Sequence, residues 1–426
     1  MKKLQQELED RGLLYQISSD ELFDTFDKWE WKFYCGFDPT ADSLHLGNFI
    51  GFMVGVHLMR RGNKYTALTW WATGMIWDPG GKDAERTFLS VEDLENNQKS
   101  ISTQISSILK NLQEFSGDSF AFDFVNNKDF YTGMWYLDFL REVGKYITIN
   151  NMIAKDTVKK RVEDPSQSIS YTEFSYMLLQ GYDFVRLFKD KWVTLQIGGQ
   201  DQWGNLVTGT ELIRKKYDWE ANVLTWPLIT DATGRKFGKS EWNAIWLDKD
   251  KTSPYEIYQY FMNTSDNDIE KYLKMLTLIE TEEIDRIVEN HLEDPEKRWG
   301  QKLLAYRVVE IIHGATEADL ARKISDFMFG WVDKIEILKD LTEEEGYTFK
   351  KSMWGFKYKS ENLFESIVTS WLAKSNSEAR QAVQSWAIHI NEEKISDFNH
   401  DFSGDFIQDR ILLLRKGKKN FRILLK

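Results

Sequence analysis

Three short apolar runs, residues 32–38, 64–71 and 194–199, each pass into a polar loop that carries glycine and then into a helical pattern. No other feature restricts the fold of this chain so much. Strands alternating with helices in this way build a parallel sheet covered on both faces. Ligands of such sheets bind beyond the carboxyl ends of the strands, where these loops fall. In the first loop Asp42 or Ser43 is placed to cap a helix running through residues 49–61. The second loop, ATGMIWDPGGK, precedes a stretch from about 92 to 189 in which helical patterns dominate. The third, within TLQIGGQDQWGN, leads into a helix through residues 208–216.

Farther along, residues 254–330 read as helical, and from about 360 a helix pair and short strands can form a separate small domain. A chain of 426 residues is expected to hold two or three domains. With 42% hydrophobic and 29% charged residues and only 6 prolines it is neither disordered nor fibrous. Cys35 is its one cysteine, which excludes an intrachain disulfide and points to a reducing compartment. Residues 1–16 interleave charges with Leu4, Leu13 and Leu14, the pattern of an amphipathic helix and not of a signal peptide. No apolar run approaches the roughly 18 residues a membrane span needs, so a cytoplasmic protein without a membrane partner is expected. The net charge of −12 excludes a surface that is basic throughout, so nucleic acid would be held by local patches. One such patch closes the chain. After Asp409 come Arg410, Arg415, Lys416, Lys418, Lys419, Arg422 and Lys426 with no acid among them. The apolar spacing of Leu412, Leu413, Leu414, Phe421 and Leu424 predicts a strand pair turning at residues 418–420.

Two loops suit nucleoside triphosphate chemistry. His45-Leu46-Gly47-Asn48 lies at a strand-to-helix junction, where a helix N-terminus offers unpaired N–H groups and a positive dipole end. Gly47 lets a nucleotide base approach the backbone closely. In Lys236-Phe237-Gly238-Lys239-Ser240, two lysines bracket a glycine and can follow charge developing on a leaving pyrophosphate. Either string alone is weak.

Together they resemble the two signature motifs of class I aminoacyl-tRNA synthetases. YCGFDPTADSLHLGN, ATGMI-x-DPGGK-x-x-ER, SYMLLQGYDF, LQIGGQDQWGN and KFGKSE look like bacterial-type tyrosyl-tRNA synthetase segments, in that family's order. The segment LAKSNSEARQAVQSWAIHINEEKI and the basic end resemble an S4-type RNA-binding domain, with Lys374 and Arg380 able to meet an RNA backbone. The resemblance covers nearly the whole chain. It implies an α/β fold with a Rossmann-like parallel-sheet catalytic domain and helical insertion over residues 1–230. The lysine loop and a helical domain over 231–335 would follow, then a small S4-type α+β domain over 360–426. It further implies a tyrosine–tRNA ligase, with ATP as substrate accompanied by Mg2+, L-tyrosine and tRNA(Tyr) as partners, and a homodimer. No dedicated metal cage is apparent in the sequence.

On the matching positions the resemblance implies a tyrosine pocket of Tyr34, Asp78, Tyr176, Gln180 and Asp183. Tyr34 and Asp183 would bind the phenol, and Asp78, Tyr176 and Gln180 the ammonium group. ATP would lie across Cys35, Gly36, Asp38, Thr40, His45, Gly47, Asn48, Asp201, Gln202 and Lys239. Lys82, Arg86, Lys236, Lys239 and Ser240 would surround the pyrophosphate, and Thr40 and His45 would strengthen their contacts in the transition state. Asn48 departs from the family, where this position is commonly histidine; asparagine keeps a hydrogen bond but cannot be charged. Helical spacing supports part of the set, since Tyr176, Gln180 and Asp183 fall on one helix face. Tryptophanyl-tRNA synthetases share the fold and both signatures, but Tyr34 with Asp183 and the DQWGN segment argue against them. A synthetase-like tRNA-binding protein without catalysis is the reading from another class.

That second reading is sustained by an anomaly. The chain holds 17 tryptophans, and several stand where the resembled pattern has glycine. Trp70, Trp71 and Trp77 do so in the Gly-rich loop, Trp242 after the lysine loop, and Trp371 and Trp386 near the end. Trp29, Trp31, Trp135, Trp192 and Trp219 sit in turn-like contexts, whereas Trp203 and Trp246 fit the pattern. A tryptophan brings roughly 150–250 Å² of surface to positions that need close approach or positive φ. Trp70, Trp71 and Trp77 are therefore expected to crowd the pocket. A gene whose UGA codons mean glycine, translated with UGA as tryptophan, would have this pattern.

Overall fold

In the computed structural model the described residues are 3–26, 28–76, 89–164, 168–230, 234, 237–238, 244–330, 332–352, 356–358, 362–417 and 420–426. They fall into two compact units, Met1–Ala315 and Thr316–Lys426. Among the described residues no helix is long and apolar enough to cross a membrane.

The first unit is built on a six-stranded sheet of β1 (Gln16–Ile17), β2 (Lys32–Phe37), β3 (Lys64–Thr69), β4 (Phe122–Asn126), β5 (Leu195–Gly199) and β6 (Asn222–Trp226). Their order is β1-β6-β5-β2-β3-β4, with β1 antiparallel and the other five parallel. The chain leaves β2 on one side for β3 and β4, and later places β5 against its other side, with Tyr34 opposite Gln196. This reversal opens a crevice at the carboxyl ends of β2 and β5. The strands foreseen at 32–38 and 64–71 are present, each slightly shorter. β4 corrects the reading of 92–189 as helical, and β1 and β6 are further strands that the apolar pattern did not expose. β4 escaped because none of its residues is fully buried, so its pattern is not the continuous apolar run of an inner strand.

One side of the sheet is covered by the helix Phe49–Met59, whose residues are all buried. A helix apolar on every side belongs to a core. Its start differs from expectation, because Asp42 and Ser43 do not cap it. A short turn, Leu46–Asn48, precedes it, and the His45 N–H donates to Asn48 Oδ1 at 3.0 Å. The helix Val91–Ser116 secures the loop before it: Asn97 Nδ2 donates to the Pro39 carbonyl at 3.0 Å, and Gln104 Oε1 accepts from the Leu44 N–H at 3.0 Å. On the other side lies the helix Tyr171–Lys191, started by a capping box in which Ser170 Oγ accepts from the Glu173 N–H and Glu173 Oε2 from the Ser170 N–H. The helix predicted over 208–216 is longer, Trp203–Tyr217.

Helices between Pro254 and His313 complete this unit, the last, Trp299–His313, packing on the 91–116 helix, where Asn111 Nδ2 donates to the Ile312 carbonyl at 3.1 Å. The N-terminal helix Leu4–Asp10 is tied to them by a buried arginine. Arg11 donates to the carbonyls of Lys274 at 3.2 Å, Thr277 at 3.1 Å and Ile279 at 2.9 Å, and pairs with Glu7 at 3.6 Å. Replacing Arg11 with methionine leaves those carbonyls without their donor, while Glu7 keeps Arg61 and His57, each at 3.0 Å. A loss of about 3 kcal/mol is expected, read as a lower urea midpoint.

The second unit carries a five-stranded sheet of β7 (Phe356–Lys357), β8 (Ile388–Ile390), β9 (Glu393–Lys394), β10 (Ile411–Lys416) and β11 (Asn420–Leu425), in the order β7-β11-β10-β8-β9. β10 and β11 form the expected terminal hairpin, with Leu412 opposite Leu424; residues 418–419 of its turn lie outside the described set. The helices Leu363–Thr369 and Asn376–Gln384 bury Ile367, Ala379 and Val383 with Ile388, Leu412 and Leu414 in a separate core. The basic residues at this end are partly engaged, Lys416 with Glu378 at 2.7 Å and Arg415 with Glu392 at 2.7 Å.

Candidate active site

Strand alternation sorts the residues of β2. Tyr34 faces the 171–191 helix, its ring edge-on to Phe184 at 5.2 Å between centroids. Cys35 faces the opposite side, where it packs near Gly51 of the 49–59 helix; burial pushes its thiol up to about 12. Tyr34 is fully buried and its hydroxyl has no hydrogen-bond partner among the described residues. Burial, then the neighbouring Asp183, holds that phenol well above its ordinary pKa.

The 171–191 helix presents Tyr176, Gln180 and Asp183 together, all buried, as their spacing predicted. The Tyr176 hydroxyl donates to Asp38 Oδ1 at 3.4 Å, just past the end of β2. Both polar atoms of the Gln180 amide are buried without a partner among the described residues. Asp183 Oδ2 accepts from Asn127 Nδ2 at 3.0 Å, and Oδ1 lies 2.9 Å from the Tyr131 hydroxyl. Burial raises the Asp183 carboxyl to about 8, against the downward pull of those two hydrogen bonds. Orphaned polar atoms this deep are exceptional in proteins. Here the Gln180 amide shares its helix face with Asp183, whose charge acts on the Tyr34 hydroxyl, so the three mark one place suited to a polar guest.

Asn127 and Tyr131 were not anticipated. Asn127 follows β4 and is fully buried; besides Asp183 it serves the turn after β3, accepting from the Ala72 N–H at 2.7 Å and approaching Thr73 Oγ1 at 3.2 Å. The signal was a pair of asparagines directly after an apolar run, missed because β4 itself was missed. Asn127→Ala removes a donor to Asp183 and an acceptor for Ala72. About a tenfold weaker binding of tyrosine is expected, checked by calorimetric titration.

On the nucleotide side, His45 and Thr40 are exposed while Asp38, Gly47 and Asn48 are half-buried. The two signature loops meet. A Cβ built on Gly238 would fall 2.9 Å from the Gly47 nitrogen, and the φ of Gly238 is +76°. The Leu46 N–H donates to the Ile245 carbonyl at 2.7 Å, and the Ile245 N–H to the Gly238 carbonyl at 2.9 Å, so the second loop is laced to the first. Beyond β5, Asp201 is exposed and its Oδ1 lies over Gly199, while Gln202 Oε1 accepts from Asn205 Nδ2 at 3.2 Å. Asp78, Lys82, Arg86, Lys236, Lys239 and Ser240 lie outside the described residues.

Trp70 stands at the end of β3 and turns its ring onto the backbone of β2. A Cβ on Gly36 would lie 2.1 Å from its Cζ2 atom. It is 6% exposed and shares a core with Tyr34, Leu68 and Phe184. The indole nitrogens of Trp70 and Trp71 are both buried without a partner among the described residues. The ring at position 70 is therefore packed directly on Gly36 of β2.

Residues 27–330 match the family of class I tRNA synthetases (W and Y), and residues 348–424 match the SYY-like C-terminal domain of tyrosine–tRNA ligase. The chain is 43% identical to the tyrosine–tRNA ligase of Streptococcus mutans over 98% of its own length and 99% of the relative's. It belongs to the class I tyrosyl-tRNA synthetases. The enzyme of Streptococcus gordonii is 41% identical, with 98% of each chain covered. A C-terminally truncated mitochondrial tyrosyl-tRNA synthetase of Aspergillus nidulans superposes with a TM-score of 0.71 at 33% identity, over 77% of this chain and 95% of that one. The membership accounts for both signature loops and for the second unit, and it makes the chain an aminoacyl-tRNA synthetase.

Proposed function

We propose that this synthetase activates L-tyrosine with ATP to tyrosyl-adenylate and pyrophosphate, then transfers tyrosine to the 3′-terminal adenosine of tRNA(Tyr). The observation that carries the tyrosine reading is the convergence of Tyr34, Gln180 and Asp183 in one buried place with orphaned polar atoms. The substrate phenol bonds to Tyr34 and Asp183, and its ammonium group to Tyr176, Gln180 and Asp78. ATP lies across Cys35, Gly36, Asp38, Gly47, Asn48, Asp201 and Gln202 at the crevice between β2 and β5.

The tyrosine carboxylate is already ionised, so it attacks the α-phosphorus in line without a general base. The protein contributes positioning and stabilisation of phosphate charge. Thr40 and His45 act on the phosphates from the first loop; Lys82, Arg86, Lys236, Lys239 and Ser240 receive the pyrophosphate. Mg2+ travels with ATP, held by the phosphates. Residues 1–230 do the chemistry, residues 231–335 supply the lysine loop and helices, and residues 360–426 bind tRNA in a cytoplasmic homodimer. The exposed side chains Trp135, Leu137, Ile149 and Ile153 suit an interface between subunits.

ATP–pyrophosphate exchange on protein purified from its own host tests the reading. Exchange should require tyrosine and ignore tryptophan. Exchange driven by tryptophan, or tRNA binding with no exchange at all, would refute it.

A further inference from the structure

Three tryptophans have a left-handed backbone: Trp192 at φ 60°, Trp371 at 59° and Trp386 at 58°. There an L-residue drives its Cβ toward the following carbonyl oxygen, and bulky residues adopt it only as outliers. All three stand where a helix ends. After the helix Leu363–Thr369, the Trp371 N–H donates to the Val368 carbonyl at 3.0 Å and the Leu372 N–H to the Ile367 carbonyl at 3.1 Å. After Asn376–Gln384, Trp386 donates to Val383 at 3.0 Å and Ala387 to Ala382 at 2.9 Å. The same pair of bonds closes the helix Leu4–Asp10, from Gly12 to Glu9 at 2.9 Å and from Leu13 to Leu8 at 2.8 Å, and there the left-handed residue is glycine, φ 68°. Trp192 ends the 171–191 helix with a bond to the Phe188 carbonyl at 2.9 Å; Gly117, φ 70°, ends the 91–116 helix with the same four-residue bond to Gln113 at 2.9 Å.

The chain thus carries its own standard. In two C-terminal capping motifs whose left-handed position is normally glycine, it has glycine at two helix ends, tryptophan at three and aspartate at one, Asp218 at φ 53° with its N–H on the Arg214 carbonyl at 3.0 Å; a short polar side chain enters this region far more readily than an indole. Burial offers no reward for the exception, since these indoles are 51%, 67% and 56% exposed. Trp192 stacks on the buried Phe188 at 4.8 Å and meets Trp219 at 4.9 Å, and Trp371 meets Phe356 at 5.5 Å, yet each of these indoles remains at least half exposed. A shared aromatic platform for RNA does not explain helix ends in two different units. Trp70 adds the buried counterpart, a ring pressed on Gly36 with its nitrogen unsatisfied.

We infer that positions 70, 71, 192, 371 and 386 hold glycine in the protein its own host makes, the corresponding UGA codons being read as glycine. The consequence is a change in the site: with glycine at 70, the space beside Tyr34 and Gly36 is free for substrate. At 192, 371 and 386 this inference stands on backbone geometry, at 70 on the ring packed against Gly36 and at 70 and 71 on indole nitrogens buried without a partner among the described residues; it does not depend on which amino acid the enzyme activates.

Tandem mass spectra of peptides spanning residues 65–76, 186–196 and 363–390, from protein purified from its host, test it directly. Glycine is expected at all five positions; tryptophan at 192, 371 or 386 would overturn the inference. In the gene, UGA is expected at those five positions and UGG at Trp203 and Trp246, and UGG at 192, 371 or 386 overturns it equally. As a second measurement, the full-length triple variant Trp192→Gly, Trp371→Gly, Trp386→Gly should melt a few degrees above the chain as written. Trp226→Gly, at a half-buried position in β6 where tryptophan fits, should melt below it. A triple variant that melts lower counts against the inference, and one that yields soluble protein where the chain as written does not counts for it.

Discussion

Replacing Asp183 with alanine, in protein carrying glycine at position 70, lowers kcat/KM for tyrosine in ATP–pyrophosphate exchange by about a thousandfold. Asp183 is the common acceptor of the Asn127 amide, the Tyr131 hydroxyl and, on our reading, the substrate phenol. Alanine removes three hydrogen bonds at once, leaving the Asn127 amide with Thr73 Oγ1 and the Tyr131 hydroxyl with the Leu179 carbonyl, and about 1–1.5 kcal/mol for each lost bond amounts to roughly 4 kcal/mol of transition-state binding. Phenylalanine, which has no phenol to lose, should suffer far less, so the preference between the two substrates collapses. A loss equal for both would show that Asp183 acts only on the fold. A second signature separates these roles. The Asp183 carboxyl titrates near 8 in the folded protein, against an ordinary value of 3.8. The unfolded chain therefore releases this proton several pH units before the folded one does, and the group's contribution to stability falls as pH rises from about 4 to about 8. Asp183→Asn removes that slope. Its urea midpoint should gain on the parent's between pH 5 and pH 8, while the discrimination against phenylalanine is still lost.

The second large effect has the opposite sign. Trp70→Gly together with Trp71→Gly raises tyrosine-dependent exchange from near background by more than about a hundredfold, because a ring lying on β2 excludes substrate outright and not by degree. The free protein should simultaneously become less stable, since emptying a buried aromatic position costs about 3–5 kcal/mol before any relief from the unsatisfied indole nitrogens. Tyrosine and ATP should restore much of the lost melting temperature by binding only the folded state. Activity that rises while unliganded stability falls is the combination expected of an opened site. Stability that rises with no activity would place the substrate elsewhere.

Much of this was legible in the sequence, and the failures are physical. β2, β3 and β5 announced themselves because inner parallel strands are apolar on both faces; β6 is also inner and parallel but was missed, its buried run being only three residues long. The outer strands β4 and β1 are only partly buried, so they lack that pattern, and losing β4 also hid Asn127 and Tyr131 behind it. The face formed by Tyr176, Gln180 and Asp183 could be read because helical spacing alone brings these residues together. The cap at His45 and Asn48 could not, because a short turn inserted before the helix moved the start away from Asp42 and Ser43. Spacing along the chain is silent about partners supplied from elsewhere, and Asp183 takes both of its partners from another segment. Trp192, by contrast, was visible as an oddity in a turn-like context, but only its backbone angle says what should stand there.

The meeting of Gly47 and Gly238 carries a consequence for how this enzyme can evolve. The two positions are separated by most of the catalytic unit in sequence, yet a side chain added to Gly238 would strike the backbone of Gly47. The second position can therefore vary only if the first loop retreats, and a retreat would misplace His45. The two loops constitute a single heritable unit, and a double-mutant scan should show that changes at one are rescued, if at all, only by changes at the other.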